Sequence, residues 1–264
     1  MSPREGTYLD RILEFHRARA AADRRDISEL LDRAAALPPS RGFESRLRTD
    51  SRSSLAVISE VKRRSPSKGD LVADLDPVAL ARAYESGGAS CLSVLTDEPH
   101  FGGSSADLRA AREATLLPVL RKDFTVSELD VVDARLMGAD CVLLIAAALS
   151  VEEMGRFIDV ARRVGLDTLV EIHDEAELEV AISIGATLVG VNQRDLVTFE
   201  VDHERAVRMA AAIPHSVVRV AESGVRNPDD AVSLRAAGYD AVLVGETLVR
   251  SVDPAGAIRS LRVS

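Results

Sequence analysis

From residue 55 onward the chain repeats one pattern. A short apolar run gives way to an amphipathic stretch, and most of these stretches close on a glycine just before the next run. The runs cover 55–60, 91–95, 117–120, 141–145, 168–172, 188–191, 217–221 and 241–244, about eight in all. Each is rich in Val, Ile and Leu and is apolar on both faces. A strand with one face in water alternates apolar and polar residues; a strand without that alternation is covered on both sides, as parallel strands between helices are. The pattern is a degenerate repeat of one βα unit, roughly 20 to 30 residues long.

The helix boundaries carry their own signals. Asp76-Pro77 and Asn227-Pro228 each read as an N-cap followed by proline at the first helical position. Ser150 with Glu153, and Asp174 with Glu177, have capping-box spacing. Gly88, Gly138, Gly165, Gly185 and Gly238 stand just before apolar runs, where glycine takes the left-handed conformation that ends a helix.

Eight parallel units fit a closed (β/α)8 TIM barrel, which typically takes about 250 residues. The alternative is a doubly wound open sheet, which is expected to carry a glycine-rich loop after its first strand. The segment 61–70 is polar and basic instead. Residues 1–54 lie outside the repeat and read as a helical extension, with helices at 8–22 and 27–36. Leu9, Ile12, Leu13 and Phe15 form an apolar stripe on the first. The extension is expected to pack on the barrel of 55–264, so that the two make one structural domain. It covers the barrel floor or edges the mouth, and the sequence does not decide which.

With 264 residues, 46% hydrophobic and 28% charged, the chain suits one large domain or two small ones. The net charge of −9 argues against nonspecific nucleic-acid or membrane-surface binding and leaves room for a local basic pocket. The two cysteines, Cys91 and Cys141, lie in apolar runs and read as buried thiols. The five histidines, His16, His100, His173, His203 and His215, are scattered without metal-ligand spacing. No apolar stretch approaches a membrane span and residues 1–10 lack an apolar signal core, so a cytoplasmic location is expected.

In a barrel of this kind the active site lies where the strands end and the βα loops begin. Glu60 and Lys62 stand two apart at the end of the first run, so in a strand they face the same way. Lys122 and Phe124 follow the third run, Glu171 and His173 the fifth, Asn192 and Arg194 the sixth, and Glu222 the seventh. The polar residues share parity with apolar ones: Glu60 with Ile58, Lys122 with Leu120, Glu171 with Leu169, Asn192 with Leu188, and Glu222 with Val220. If those apolar residues fill the interior, the polar ones converge on one mouth. A lysine among carboxylates serves as a general acid or cation clamp, and a partly buried carboxylate as a base.

Ser223-Gly224 and Gly245-Glu246-Thr247 follow the seventh and eighth runs, where such barrels often hold a phosphate on backbone N–H groups. The loop 63–76 is long and basic and reads as a lid.

At this point the motifs resemble those of the indole-3-glycerol phosphate synthase family. The segments are Ile58-Ser59-Glu60-Val61-Lys62-Arg63-Arg64-Ser65-Pro66-Ser67, Leu120-Arg121-Lys122-Asp123-Phe124, Val170-Glu171-Ile172-His173, Gly190-Val191-Asn192-Gln193-Arg194-Asp195-Leu196, Ala221-Glu222-Ser223-Gly224-Val225 and Val244-Gly245-Glu246-Thr247-Leu248. The resemblance implies closure of the pyrrole ring of 1-(2-carboxyphenylamino)-1-deoxyribulose 5-phosphate, with loss of carbon dioxide and water. It implies no metal and no organic cofactor, and a phosphorylated small molecule as the partner. Lys122 would be the general acid, Glu171 the acid/base of dehydration, and Glu60 and Lys62 the groups that hold and polarise the substrate. Asn192, Arg194 and Glu222 would orient it, Phe124 would pack on its aromatic ring, and Ser65, Ser223, Gly224, Gly245 and Thr247 would surround the phosphate. Gln193 and Thr247 depart from the residues usual in the family. The oligomeric state is not legible, and a monomer is taken as the expectation.

Two other readings remain open. A barrel such as phosphoribosylanthranilate isomerase wants a Cys/Asp acid–base pair at the strand ends, whereas Cys91 and Cys141 each start a run. A decayed, non-catalytic barrel would be expected to lose Lys122 or Glu171, and both are present.

Overall fold

A computed structural model describes residues 7–65, 68–72, 74–194 and 201–264. Pro66, Ser67, Asp195 and Leu196 of the motifs above lie outside them. Eight parallel strands close into a barrel: β1 Ala56–Val61, β2 Cys91–Leu95, β3 Val119–Lys122, β4 Cys141–Ile145, β5 Asp167–Ile172, β6 Leu188–Asn192, β7 Val218–Glu222 and β8 Ala241–Val244. Each pairs with its neighbours in sequence, and β1 closes the ring on β8 through Ala56↔Ala241 to Ser59↔Val244. The open sheet is thereby excluded.

The strands have two apolar faces because they separate two cores. Outward residues such as Val57, Leu92, Val119, Val142, Val170 and Val189 pack on the surrounding helices. Inward ones, including Ile58, Leu120, Leu169, Leu188 and Val220, fill the barrel. β3 runs two residues beyond the apolar run 117–120, so Arg121 and Lys122 are strand residues. Apolar character alone loses a strand where it turns polar to build a site.

The helix signals act as their chemistry requires. Asp76 and Asn227 accept N-terminal N–H groups, and Ser150 with Glu153 forms a reciprocal capping box. The second expected box differs. Asp174 accepts from the Glu177 N–H, but the Glu177 carboxylate reaches past Asp174 to the His173 N–H at 2.7 Å.

The N-terminal helices serve both ends of the barrel. Helix α1 (Tyr8–Ala22) lies at the mouth, α2 (Ile27–Ala35) packs on the flank against the helices at Glu128–Met137 and Val151–Val164, and α3 (Phe43–Asp50) closes the floor. Phe43 and Leu47 of α3 are fully buried among the inward residues. The floor is pinned by the Glu44 N–H on Asp167 and by the Arg48 guanidinium on the Thr187 and Ser216 carbonyls. On α1 the apolar stripe is shorter than the sequence suggests. Ile12 is buried, Phe15 is 45% exposed, and the fully buried neighbour is His16. Among the described residues no helix is long and apolar enough to cross a membrane.

Candidate active site

At the C-terminal end of β1 the buried Glu60 stands in register with Ser93 of β2. Lys62 follows the strand, and its Nζ lies 2.6 Å from Glu60 Oε1. The buried Tyr84 hydroxyl donates to the Glu60 carbonyl at 3.0 Å, which fixes the strand end beneath the pair.

Across the mouth, Lys122 Nζ donates to Glu171 Oε2 at 2.9 Å and to Glu222 Oε2 at 2.8 Å. Glu171 Oε1 accepts from Asn192 Nδ2 at 3.1 Å, and Asn192 Oδ1 accepts from the Arg194 N–H at 3.0 Å. Strands β3, β5, β6 and β7 thus each contribute one member of a continuous hydrogen-bonded set. Burial by itself would lower the Lys122 pKa, but the carboxylates of Glu171, Glu222 and Glu60 outweigh it and raise it above the usual lysine range.

The two carboxylates on Lys122 divide. Burial pushes Glu171 upward, yet Lys122 and His173 draw it down to about 2. Burial pushes Glu222 up to about 7, because Lys122 only partly offsets it and the charges of Glu171 and Glu60 add to it. Glu222 Oε1 is buried and accepts no hydrogen bond, which further disfavours the ionised form. One ammonium is shared by two acids, and one acid keeps a proton near neutrality.

Glu60, Lys62, Ser65, Lys122, Phe124, Glu171, Asn192, Arg194, Glu222, Ser223, Gly224, Gly245 and Thr247 line one cleft of about 580 Å³, whereas His173 is not part of its lining. The residues after β7 and β8 form its second end. Ser223 (φ 66°) is the single non-glycine residue with left-handed φ among those described, and Gly224 (φ 78°) follows it in the same conformation. Gln193, buried and facing away from the cleft, donates from Nε2 to the Ser223 carbonyl at 2.8 Å and so braces this strained turn. The Thr247 hydroxyl donates to the Val225 carbonyl at 2.8 Å, so its proton is turned away from the cleft. Ser65 lines the cleft from the first loop, where Arg64–Ser65 pairs with Gly69–Asp70 and Arg63 is held by Asp107 and the Leu75 carbonyl. Lys68, Arg226 and Arg250 add positive charge to the lining.

The remaining wall is apolar. Phe124 packs near Phe101, with ring centroids 6.1 Å apart, and near His16 at 5.4 Å. Tyr8, Leu9 and Ile12 of α1 and the inward Leu143 and Leu243 complete it. The sequence left α1 at either the floor or the mouth, because α1 lies outside the βα repeat, and the structure places it at the mouth. Leu143 and Leu243 belong to the fourth and eighth runs, which carry no strand-end charge to mark their inward face.

Beneath this wall His16 Nε2 lies 2.8 Å from Asp97 Oδ2, and His100 Nδ1 is 3.0 Å from the same oxygen. Their ligand atoms and that of Asp97 lie within 4.8 Å of one another. The Asp97 carboxylate also accepts the His100 and Phe101 N–H groups, so the acid is satisfied by hydrogen bonds, while the buried His16 Nδ1 has no partner among the described residues. Cys91 and Cys141 sit deep in the barrel at the strand starts, where burial raises both thiols well above their usual pKa. Neither reaches the mouth, which removes the Cys/Asp alternative.

Residues 9–261 match the family described as indole-3-glycerol phosphate synthase. A Nocardioides indole-3-glycerol phosphate synthase is 54% identical over 206 residues, covering 78% of this chain and 79% of that protein. The Mycobacterium avium indole-3-glycerol phosphate synthase is 48% identical over 263 residues, covering 99% of this chain and 95% of its own. Among solved structures, 3-hexulose-6-phosphate synthase from Salmonella typhimurium superposes with a TM-score of 0.64 at 16% identity, over 78% of this chain and 96% of that one. That likeness shows the barrel alone. The chain belongs to the indole-3-glycerol phosphate synthase family.

Proposed function

We propose that the cleft closes the pyrrole ring of 1-(2-carboxyphenylamino)-1-deoxyribulose 5-phosphate to give indole-3-glycerol phosphate, carbon dioxide and water. The observation that carries this reading is the Lys122 ammonium held between Glu171 and Glu222, at the same mouth as the Glu60–Lys62 pair.

The chemistry needs such a set. Attack of the aromatic carbon on the ketone places negative charge on the carbonyl oxygen, and a fixed ammonium stabilises and protonates it. Lys122 takes this role. The ring nitrogen becomes cationic as the bond forms, and the carboxylates around it favour that charge. The C–CO2 bond then breaks, its electrons restore the ring, and carbon dioxide departs. Lys62 orients the carboxylate without holding it so tightly that departure is opposed. Loss of the new hydroxyl as water needs a proton delivered to oxygen and one removed from carbon; Glu171 serves as the acid/base of this step, ionised at the outset and therefore first the base, with Lys122 at 2.9 Å to pass on a proton. Glu60 holds Lys62, while Asn192, Arg194 and Glu222 align substrate and catalytic groups. Phe124 stacks on the anthranilate ring. The phosphate lies by Ser65, Ser223, Gly224, Gly245 and Thr247. Because the Thr247 hydroxyl faces Val225, its contribution there comes through the backbone or after rotation of the side chain.

In this reading residues 1–54 and 55–264 act as one unit, the loop 63–76 closes over the substrate, and the enzyme works as a cytoplasmic monomer. Size-exclusion chromatography checks the last point. The activity itself is tested by adding purified protein to the substrate and following indole fluorescence. A product with that spectrum, phosphate-bearing and formed with stoichiometric carbon dioxide, is expected; no turnover by the folded protein overturns the reading.

A further inference from the structure

Gly190 lies in the middle of β6, paired with Glu171 on one side and Val220 on the other. Its φ is not left-handed, so nothing in the backbone calls for glycine. Glycine within a strand weakens it relative to alanine and often marks a close approach. Here the approach is by a carboxylate. Glu222 stands in register with Asn192, two residues beyond Gly190, and its side chain folds back over Gly190. A Cβ at 190 would overlap Glu222 Oε1, lie 3.0 Å from Glu222 Cδ and 3.3 Å from Leu169 Cδ1.

The Glu222 carboxylate has no costless retreat. Oε2 accepts from Lys122, and the side chain is 2% exposed. Displacing Oε1 moves the whole carboxylate and with it one of the two acceptors of the ammonium. The same device recurs two strands further round the mouth. Gly245, just past β8 and with φ −113°, leaves space for the Glu60–Lys62 pair. A Cβ there would overlap Glu60 Oε1 and lie 3.0 Å from Lys62 Nζ.

We propose that Gly190 is a positioning residue: the space left by its absent side chain holds the Glu222 carboxylate, and that placement sets Lys122 between Glu171 and Glu222. Gly245 plays the matching part for Glu60 and Lys62, in addition to its place beside the phosphate. The catalytic consequence rests on the ring-closing function proposed above; the packing consequence stands without it.

The test is a double-variant cycle on Gly190→Ala and Glu222→Ala, read by thermal unfolding, together with steady-state kinetics of Gly190→Ala and Gly190→Ala/Glu222→Asp. Gly190→Ala is expected to lower the melting temperature beside Glu222 and to lower it little or not at all in the Glu222→Ala background. If Gly190→Ala fails to fold alone, its folding in the Glu222→Ala background supports the proposal, and failure in both backgrounds overturns it. An equal loss in both backgrounds also overturns it. In turnover, Gly190→Ala is expected to lose kcat by roughly 10²-fold, the scale of a misplaced catalytic group, with KM little changed. Shortening the acid with Glu222→Asp in that variant adds no further loss. Full kcat in Gly190→Ala contradicts the proposal. A wild-type protein without turnover contradicts the proposed function instead and leaves the unfolding cycle to decide on Gly190.

Discussion

Lys122 and Glu222 meet across the barrel, from the end of β3 to the end of β7, with Nζ and Oε2 2.8 Å apart. The contact is buried, and Glu171 completes it from the other side. One cation between two acids fixes the protonation pattern of the site, and the pattern has measurable consequences.

Glu222 is raised in the folded protein to about 7 from an ordinary 4.5. A raised acid stabilises the fold fully below its unfolded pKa and loses that contribution as pH rises through its folded one. The loss therefore falls between about pH 4.5 and 7 and amounts to roughly 3 kcal/mol. Glu222→Gln lacks it. Unfolding free energies from denaturant titration should show the variant gaining on wild type across that window, with a constant difference above about pH 8. A difference independent of pH would show that the Glu222 pKa is not raised on folding. Glu171, drawn down to about 2, works in the opposite sense. Its contribution is present above 4.5 and is lost on acidification below that.

Phe43 shows how the extension holds the barrel. It is fully buried under the inward residues, and the Cys91 thiol packs against its carbonyl. Phe43→Ala should destabilise the protein by about 3–5 kcal/mol, the usual cost of removing a buried aromatic ring. KM, measured well below the lowered melting temperature, should stay within about twofold, since the floor lies away from the cleft. A stability loss under about 1 kcal/mol would show that α3 is not part of the core.

His16 is the buried link between α1 and the loop after β2, through Asp97. His16→Ala leaves a buried carboxylate short of a partner, which costs about 1–3 kcal/mol. It also loosens the wall formed by Tyr8, Leu9 and Ile12. KM should rise several-fold while kcat changes less. His16→Asn, which can still donate to Asp97, should recover part of the loss; equal loss in both variants would count against the hydrogen bond as the link.

Much of this was legible in the sequence, for physical reasons. Buried parallel strands must be apolar on both faces, and glycine must stop each helix, so the eightfold repeat announced the barrel. The period-two geometry of a strand made Glu60, Lys122, Glu171, Asn192 and Glu222 convergent once their apolar partners were taken as inward. Contacts made from outside the repeat were not legible. Nothing in the spacing of residues 8–22 marks α1 as a wall of the cleft, and the meeting of His16 with Asp97 spans 81 positions. The role of Gln193 as a brace for Ser223 also escaped, because parity says only that it faces away. The first strand-end pair is plain in the sequence, yet the deeper set is the one around Lys122, whose two partners, Glu171 and Glu222, come from two other strands.

The central claim is that Lys122 is the acid of ring closure. Single-turnover kinetics of Lys122→Met with 1-(2-carboxyphenylamino)-1-deoxyribulose 5-phosphate, beside wild type at pH 7.5, test it most directly. A general acid contributes typically 10²–10⁴-fold, so the rate of indole formation should fall by about that factor while substrate binding is retained. A variant that forms the indole product within about threefold of the wild-type rate would contradict the account.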